Sequence, residues 1–315
     1  MIEISAGKQA LRLANPVMGA AGAFGFAGEY GKLIDLSVLG AIVTNPVTLR
    51  PRRPAGGVRV VALDSGVLVH TGLPNPGLYR LHRQYAARWR SSPVPVIIHL
   101  VANSPDDLGE CAGFLDQHEE IAAIEIGLHD QATHRDARLM VSAARARTQL
   151  PLLVKLPLYQ AVHVAAAAAE AGADALVVAA PPRGTARDPQ TGALVGGRAY
   201  GPWLKALALR IVGQIAVHVR SPVIGCGGIH HSDDARDYLE AGAVAVQLDS
   251  VVWVRPEMVA LIARNLGGLE ETRAAGALPD EWHHGLGHTA DTAAKRAQIW
   301  PSPPPPAPPG QLPET

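Results

Sequence analysis

Through the first 250 residues the apolar positions come in short unbroken runs rather than in strict alternation. The runs are PVMGAA (16–21), AIVTNPV (41–47), PVIIHLV (95–101), AAIEIGL (122–128), PLLVKLP (151–157), ALVVAA (175–180), PVIGCGG (222–228) and AVAVQLD (243–249). Continuous Val, Ile and Leu mark strands covered on both faces, as in a parallel sheet. Turn residues and a helical stretch follow each of them. SPDDLGECAGFLDQ (104–117) and SDDARDYLEAGA (232–243) open on Ser or Asp caps, and the second stops at Ala-Gly-Ala. VAAAAAEAGA (164–173) carries Glu170 and lies between strand-like runs, which makes it a packed helix. Eight β/α units in about 260 residues predict an α/β fold, a TIM (β/α)8 barrel in a single domain. The competing doubly wound sheet would carry Gly-x-Gly-x-x-Gly after its first strand, and that motif is absent.

A barrel of this kind keeps its active site at the C-terminal ends of the strands. There the fourth run, IEIGLHDQ (124–131), delivers His129 and Asp130. Alternation sets Glu125, Gly127 and His129 toward the interior and Ile126 and Leu128 away from it, with Asp130 opening the loop. Lys155 falls in the middle of the fifth run, and a lysine enters a barrel interior only with a partner. An ion pair with Glu125 and contact with an anionic or electron-rich cofactor both meet that need. After the seventh strand, VIGCGGIHHSDDA brings Gly225, Gly227 and Gly228 before a helix opening at Ser232 or Asp233; after the eighth, QLDS ends in Asp249 and Ser250. These are the loops where barrels commonly bind phosphate. The glycines therefore predict a phosphate site, although a tight turn alone would also use them, and the Asp249 carboxylate would repel the anion.

Composition narrows the picture. The 315 residues are 48% hydrophobic, with 28 basic and 28 acidic side chains. That balance gives no field to attract nucleic acid or an anionic membrane. Cys111 and Cys226 are too few for a disulfide framework, which points to a reducing cytoplasm. No run of about 18 apolar residues occurs. The expected organisation is a barrel over 1–268, a helical or loop extension over 269–300 and a Pro-rich tail over 301–315 that cannot bury a core. EWHHGLGH (281–288) is rich in potential metal ligands, but its glycines favour a solvated loop.

Taken together and in order, NPVMGAAGAFGFAGEYG (15–31), TNPVTLRPR (44–52), TGLPNPG (71–77), VKLP (154–157), YGPWLKALALR (200–210) and IGCGGI (224–229) resemble the dihydroorotate dehydrogenases, over roughly residues 2–266. The resemblance implies FMN at the barrel mouth, an oxidoreductase acting on a CH–CH bond, and a role in pyrimidine biosynthesis. It implies that phosphate rests on Gly201, Gly227, Gly228 and the Asp249–Ser250 turn. The flavin ring is expected near Ala20, Ala21 and Lys155, with Asn45, His99, Gly127 and Ala179 completing the contacts. The substrate is expected against Asn45, Val69, His70, Thr71, Gly72, Leu73, Ala180 and Pro181. The chain starts directly at the barrel and so resembles the soluble class, without the membrane-associating extension of the quinone-linked one. Family members are often homodimers, and some use an iron–sulfur partner subunit; the electron acceptor is left open here.

The departures concern the substrate side. Asn45 stands for the family's lysine, Val69 for an asparagine, His99 for another asparagine, and Ala180–Pro181 for an Asn-Thr pair. His129 and Asp130 stand where the family keeps a serine and its catalytic cysteine. Asp130 can serve as a substitute base if burial raises its pKa, with His129 orienting it or sharing the proton; equally, both can be solvated relics of a lost site. A small substrate other than dihydroorotate, a catalytically silent barrel acting as a partner subunit, and a metal-dependent lyase or hydrolase using His99, His129, His70 and Asp130 are the readings in contention. Trp203 and Trp253 are expected in loops near the phosphate turns. Arg50, Arg52, Arg53 and Arg183 are candidates for an anionic substrate, and His230 and His231 are expected to cap the following helix.

Overall fold

The structure is a computed structural model that describes residues 2–4, 9–27, 29–31 and 33–274. The predicted extension beyond residue 274, the Pro-rich tail and the EWHHGLGH tract lie outside the described residues. In chain order the strands are β1 (Ile2–Ile4), β2 (Leu11–Leu13), β3 (Val17–Gly19), β4 (Ala41–Val43), β5 (Val60–Leu63), β6 (Gly66–Val69), β7 (Val96–Leu100), β8 (Ala123–Gly127), β9 (Leu152–Pro157), β10 (Ala175–Ala180), β11 (Arg183–Arg187), β12 (Leu194–Tyr200), β13 (Val223–Cys226) and β14 (Ala245–Leu248). The helices are α1 (Leu78–Arg90), α2 (Pro105–Leu115), α3 (His134–Arg145), α4 (Ala161–Glu170), α5 (Leu204–His218), α6 (Ser232–Glu240), α7 (Val251–Val254) and α8 (Glu257–Ala274).

β3, β4, β7, β8, β9, β10, β13 and β14 close into a barrel with every neighbouring pair parallel. Each of the eight apolar runs supplies one of these strands, as the pattern predicted. The connections are helical except between β3 and β4, where the described element is a single 3-10 turn, Leu36–Val38. α8 runs across the boundary expected at residue 268.

Alternation along the strands sorts the core into two shells. Val17, Ile42, Ile98, Ile126, Val154, Val178 and Val246 face outward into the helices. Met18, Ala41, Val43, Ile97, Ala123, Leu153, Ala175, Ile224 and Ala245 fill the barrel, and Ile4, Leu11 and Leu13 of the β1–β2 hairpin join them. The hairpin thus plugs the N-terminal end, so the interior is packed there and polar groups enter only one layer higher. On five of the eight strands the next inward residue is polar or sulfur-bearing: His99 after Ile97, Glu125 after Ala123, Lys155 after Leu153, Cys226 after Ile224 and Gln247 after Ala245.

Sequence reading missed a second, antiparallel sheet in the order β11–β12–β6–β5. β11 and β12 leave the chain just after the sixth barrel strand, and β5 and β6 follow the second. Their strands carry exposed arginines and glycines, with a small core of Val61, Leu68 and Ala199. Trp203 lies, as expected, in the turn that leads into α5, at its N-cap position, whereas Trp253 is not in a loop but in α7, where its ring meets that of Tyr200 edge-on at 4.9 Å.

Asp174, buried just before β10, accepts from Leu152 N–H at 2.7 Å and from Arg145 Nη1 at 3.1 Å, joining the bottoms of two strands to α3. Asp174→Ala strands both donors. The expected loss is about 3 kcal/mol of unfolding free energy, read from urea denaturation of the full chain.

Candidate active site at the barrel mouth

The polar layer is one connected network. Lys155 Nζ donates to Gln247 Oε1 at 2.8 Å and approaches Cys226 Sγ at 3.4 Å. Gln247 Nε2 in turn donates to Glu125 Oε2 at 2.5 Å, and Glu125 Oε1 holds His99 Nδ1 at 2.7 Å. Lysine and glutamate are therefore linked through Gln247, rather than in the direct pair that spacing suggested. Burial pushes the Glu125 carboxyl up, but the Lys155 charge, with the hydrogen bonds from His99 and Gln247, brings it down to about 2. Burial also works against the Lys155 ammonium, and its neighbours Cys226, Glu125 and Asp249 more than compensate, so its pKa is raised. Since burial itself holds the Cys226 thiol up near 12, the negative charge opposite Lys155 is carboxylate. Gly127 has its reason here: a Cβ would stand 2.7 Å from His99 Nε2.

At the anion end, Gly227 and Gly228 adopt φ of +122° and +67°, values that L side chains rarely take. A Cβ on Gly228 would meet Lys205 N at 2.5 Å and Pro202 O at 2.7 Å, so this turn nests against the start of α5 and against Gly201. Tyr238 fixes it from below, donating from its hydroxyl to Gly227 O at 2.8 Å. Asp234 accepts from both His230 N–H and His231 N–H, which caps α6 through the backbone rather than through the histidine rings. His230 Nε2 instead contacts Ser250 Oγ at 3.1 Å, and burial, the largest influence, holds its pKa down. The Ser250 N–H is engaged by Asp249 Oδ1 at 2.5 Å. Asp249 Oδ2 is buried and has no hydrogen-bond partner among the described residues.

The expected ring neighbours Ala20 and Ala179 are buried, Ala21 and Asn45 less so, and Asn45 Oδ1 is a second buried acceptor without a donor among the described residues. Val69 belongs to β6; His70 and Thr71 are exposed beside it, and Gly72 and Leu73 turn with positive φ. Asn75 anchors that loop through Thr48, Gly77 N–H and Leu73 O. Ala180 ends β10 and Pro181 follows. Arg50, Arg52 and Arg53 are exposed.

His129 does not point into the barrel. Its side chain is 62% exposed, with Nε2 3.7 Å from Asp136 Oδ2 at the start of α3, because the strand ends at Gly127 and alternation lapses with it. Asp130 is clamped: Arg183 Nε donates to Oδ2 at 2.8 Å, and Arg198 Nη1 donates to Oδ1 and to Pro181 O. The sequence reading noted Arg183 but missed Arg198, Tyr200, Gln247 and Cys226. Inward alternation on β13 and β14 was the available signal for the last two. The arginines depend on the unforeseen sheet. His99, His129, His70 and Asp130 do not gather as metal ligands; the cluster of three ligand-type side chains among the described residues is His82, His118 and Glu120, beside the start of β8 at the opposite end.

The donor set fits a flavin nucleotide. A buried cation faces the barrel mouth, bare glycine peptides form a cradle that a Cβ would fill, and Asp249 offers an acceptor awaiting a donor. Fold and site together define a flavin-barrel oxidoreductase. The family model described as dihydroorotate dehydrogenase matches residues 7–269. This chain belongs to the dihydroorotate dehydrogenase family, FMN-dependent oxidoreductases that act on CH–CH bonds in pyrimidine biosynthesis. Similar proteins include the catalytic subunit of dihydroorotate dehydrogenase B (NAD(+)) from Trichlorobacter lovleyi, 36% identical over 287 residues that cover 86% of this chain and 93% of that one. The same subunit from Desulforamulus reducens is 35% identical over 263 residues, covering 78% and 86%. A crystal structure of DHODH in complex with ferulenol from Eimeria tenella shares the fold, with TM-score 0.68, 19% identity and coverage of 86% and 85%. No described helix is long and apolar enough to cross a membrane.

Because its folded pKa is depressed, Glu125 contributes stability that is complete above its ordinary value near 4.5 and is lost as pH falls through about 2. Glu125→Gln is expected to cost about 3 kcal/mol at pH 7, with the gap to the native chain closing as unfolding is measured at pH 4, 3 and 2.

Proposed function

We propose that this chain oxidises a CH–CH bond in a small cyclic amide or ureide that carries a carboxylate, with dihydroorotate, the compound in its relatives' name, as the first member of that class. The observation that carries this reading is the Arg183–Asp130–Arg198 cluster at the mouth, which joins anion-binding groups to a carboxylate. The unpaired Asn45 Oδ1 supports it, since a ring N–H would satisfy that acceptor.

Lys155, Ala20, Ala21 and Ala179 would hold the ring end of FMN, and Gly201, Gly227 and Gly228 its phosphate end. Bound FMN supplies the two-electron acceptor that takes hydride from one substrate carbon. Asp130 takes the proton from the adjacent carbon as the double bond forms. A substrate carboxylate competes with Asp130 for the two guanidinium groups, and this exchange orients the substrate and frees a carboxylate oxygen for the proton. His129, turned toward Asp136, supports the loop rather than the transfer. Lys155, kept charged by its network, would stabilise negative charge at the ring end of bound FMN. With FMN bound, a partner subunit would pass its electrons toward NAD(+), in a cytoplasmic assembly built on a homodimer; the relatives' names as NAD(+)-linked catalytic subunits support the first part.

A second reading, a silent barrel serving as a partner subunit, is favoured by the fact that both Asp130 oxygens are already engaged. Anaerobic titration separates the two. Dihydroorotate is expected to bleach the bound flavin, and Asp130→Asn to slow bleaching by roughly 100-fold or more while orotate, freed of its competitor for the two guanidinium groups, binds at least as tightly as to the native chain. Flavin that neither dihydroorotate nor related cyclic amide acids reduce would establish the silent barrel instead.

A further inference from the structure

Asp249 is 3% exposed, and its two oxygens have different fates. Oδ1 accepts from Ser250 N–H and Ser250 Oγ, whereas Oδ2 is buried without a donor among the described residues. A buried carboxylate oxygen left unpaired is costly, so a ligand that brings a donor is strongly preferred there. A phosphate brings only negative oxygens and would be repelled. A hydroxyl group brings a hydrogen.

The position of Asp249 indicates which hydroxyls. It lies two residues beyond Gln247, which holds Lys155 at the ring end, and next to Ser250, which touches His230 beyond the glycine turn at the phosphate end. The part of FMN between ring and phosphate is the ribityl chain, whose three free hydroxyl groups are donors. We propose that the Asp249 side chain accepts hydrogen bonds from the ribityl hydroxyls, so that the end of β14 selects the sugar-alcohol portion of the cofactor while the glycine turn takes the phosphate. This requires FMN but no particular substrate, and so it stands or falls separately from the substrate assignment.

The test uses the full chain stripped of flavin and titrated with FMN, riboflavin and lumiflavin, followed by flavin fluorescence. Lumiflavin lacks the ribityl chain, and riboflavin has it without the phosphate. Asp249→Ala is expected to weaken FMN and riboflavin by a similar factor, roughly 10- to 100-fold, and to leave lumiflavin within about twofold. Asp249→Asn keeps an acceptor for Ser250 N–H and loses only the second oxygen; being isosteric, it answers the question if the alanine variant does not fold. It is expected to weaken the same two flavins by about tenfold. Tighter FMN binding with riboflavin unchanged would mean that Asp249 acts only by repelling phosphate. An equal loss for lumiflavin would mean that it acts through the fold of the site. No change in any affinity would mean that water satisfies Oδ2. Each of these three results overturns the proposal.

Discussion

A positive charge held inside a packed barrel is the constraint around which this molecule is arranged. Lys155 is 4% exposed, and an ammonium so far from water must be matched by acceptors and counter-charge. Gln247, Cys226 and, through Gln247, Glu125 provide them, each from a different strand. Circular closure is what brings β8, β9, β13 and β14 around one point. The β1–β2 hairpin packs the layer below with Ile4, Leu11 and Leu13, so that among the described residues the charge opens toward the mouth. A ligand that is electron-rich and flat matches that opening.

Away from this centre the site is less uniform. The ring end and the glycine turn keep the features that a flavin nucleotide needs, and their geometry is over-determined: Tyr238 holds the turn from one side and the start of α5 from the other. The rest of the rim is built from different material. Two arginines of an antiparallel sheet reach back to Asp130, and the asparagine after β4 presents an acceptor without a donor among the described residues.

The barrel was legible because its signal is local. A strand covered on both faces must be apolar throughout, and eight such runs at regular spacing admit few topologies. The inward positions of Glu125 and Lys155 followed from period-two alternation, and the cap of α2 from Ser104, whereas α6 takes His231 as its cap residue, one position before the expected Ser232. Alternation failed at His129, two residues after the pleat had ended. The β5–β6 and β11–β12 sheet escaped notice because β5 and β6 are only four residues long, β11 and β12 are half-exposed, glycine-containing and basic, and the core between them has only a few side chains. Edge sheets of that kind carry almost no hydrophobic period.

The sequence by itself determined the barrel, its order of strands, the glycine turn and the presence of one buried cation, since each follows from residue type and spacing within a few positions of chain. Tertiary structure alone decided who meets whom. It joined Gln247 to both Lys155 and Glu125, turned His129 outward, brought Arg183 and Arg198 onto Asp130, and left one oxygen of Asp249 bare. Those contacts link residues 53 to 122 positions apart, a separation over which composition and periodicity carry no information, and only ring closure and the packing of the second sheet bring the partners within hydrogen-bond reach.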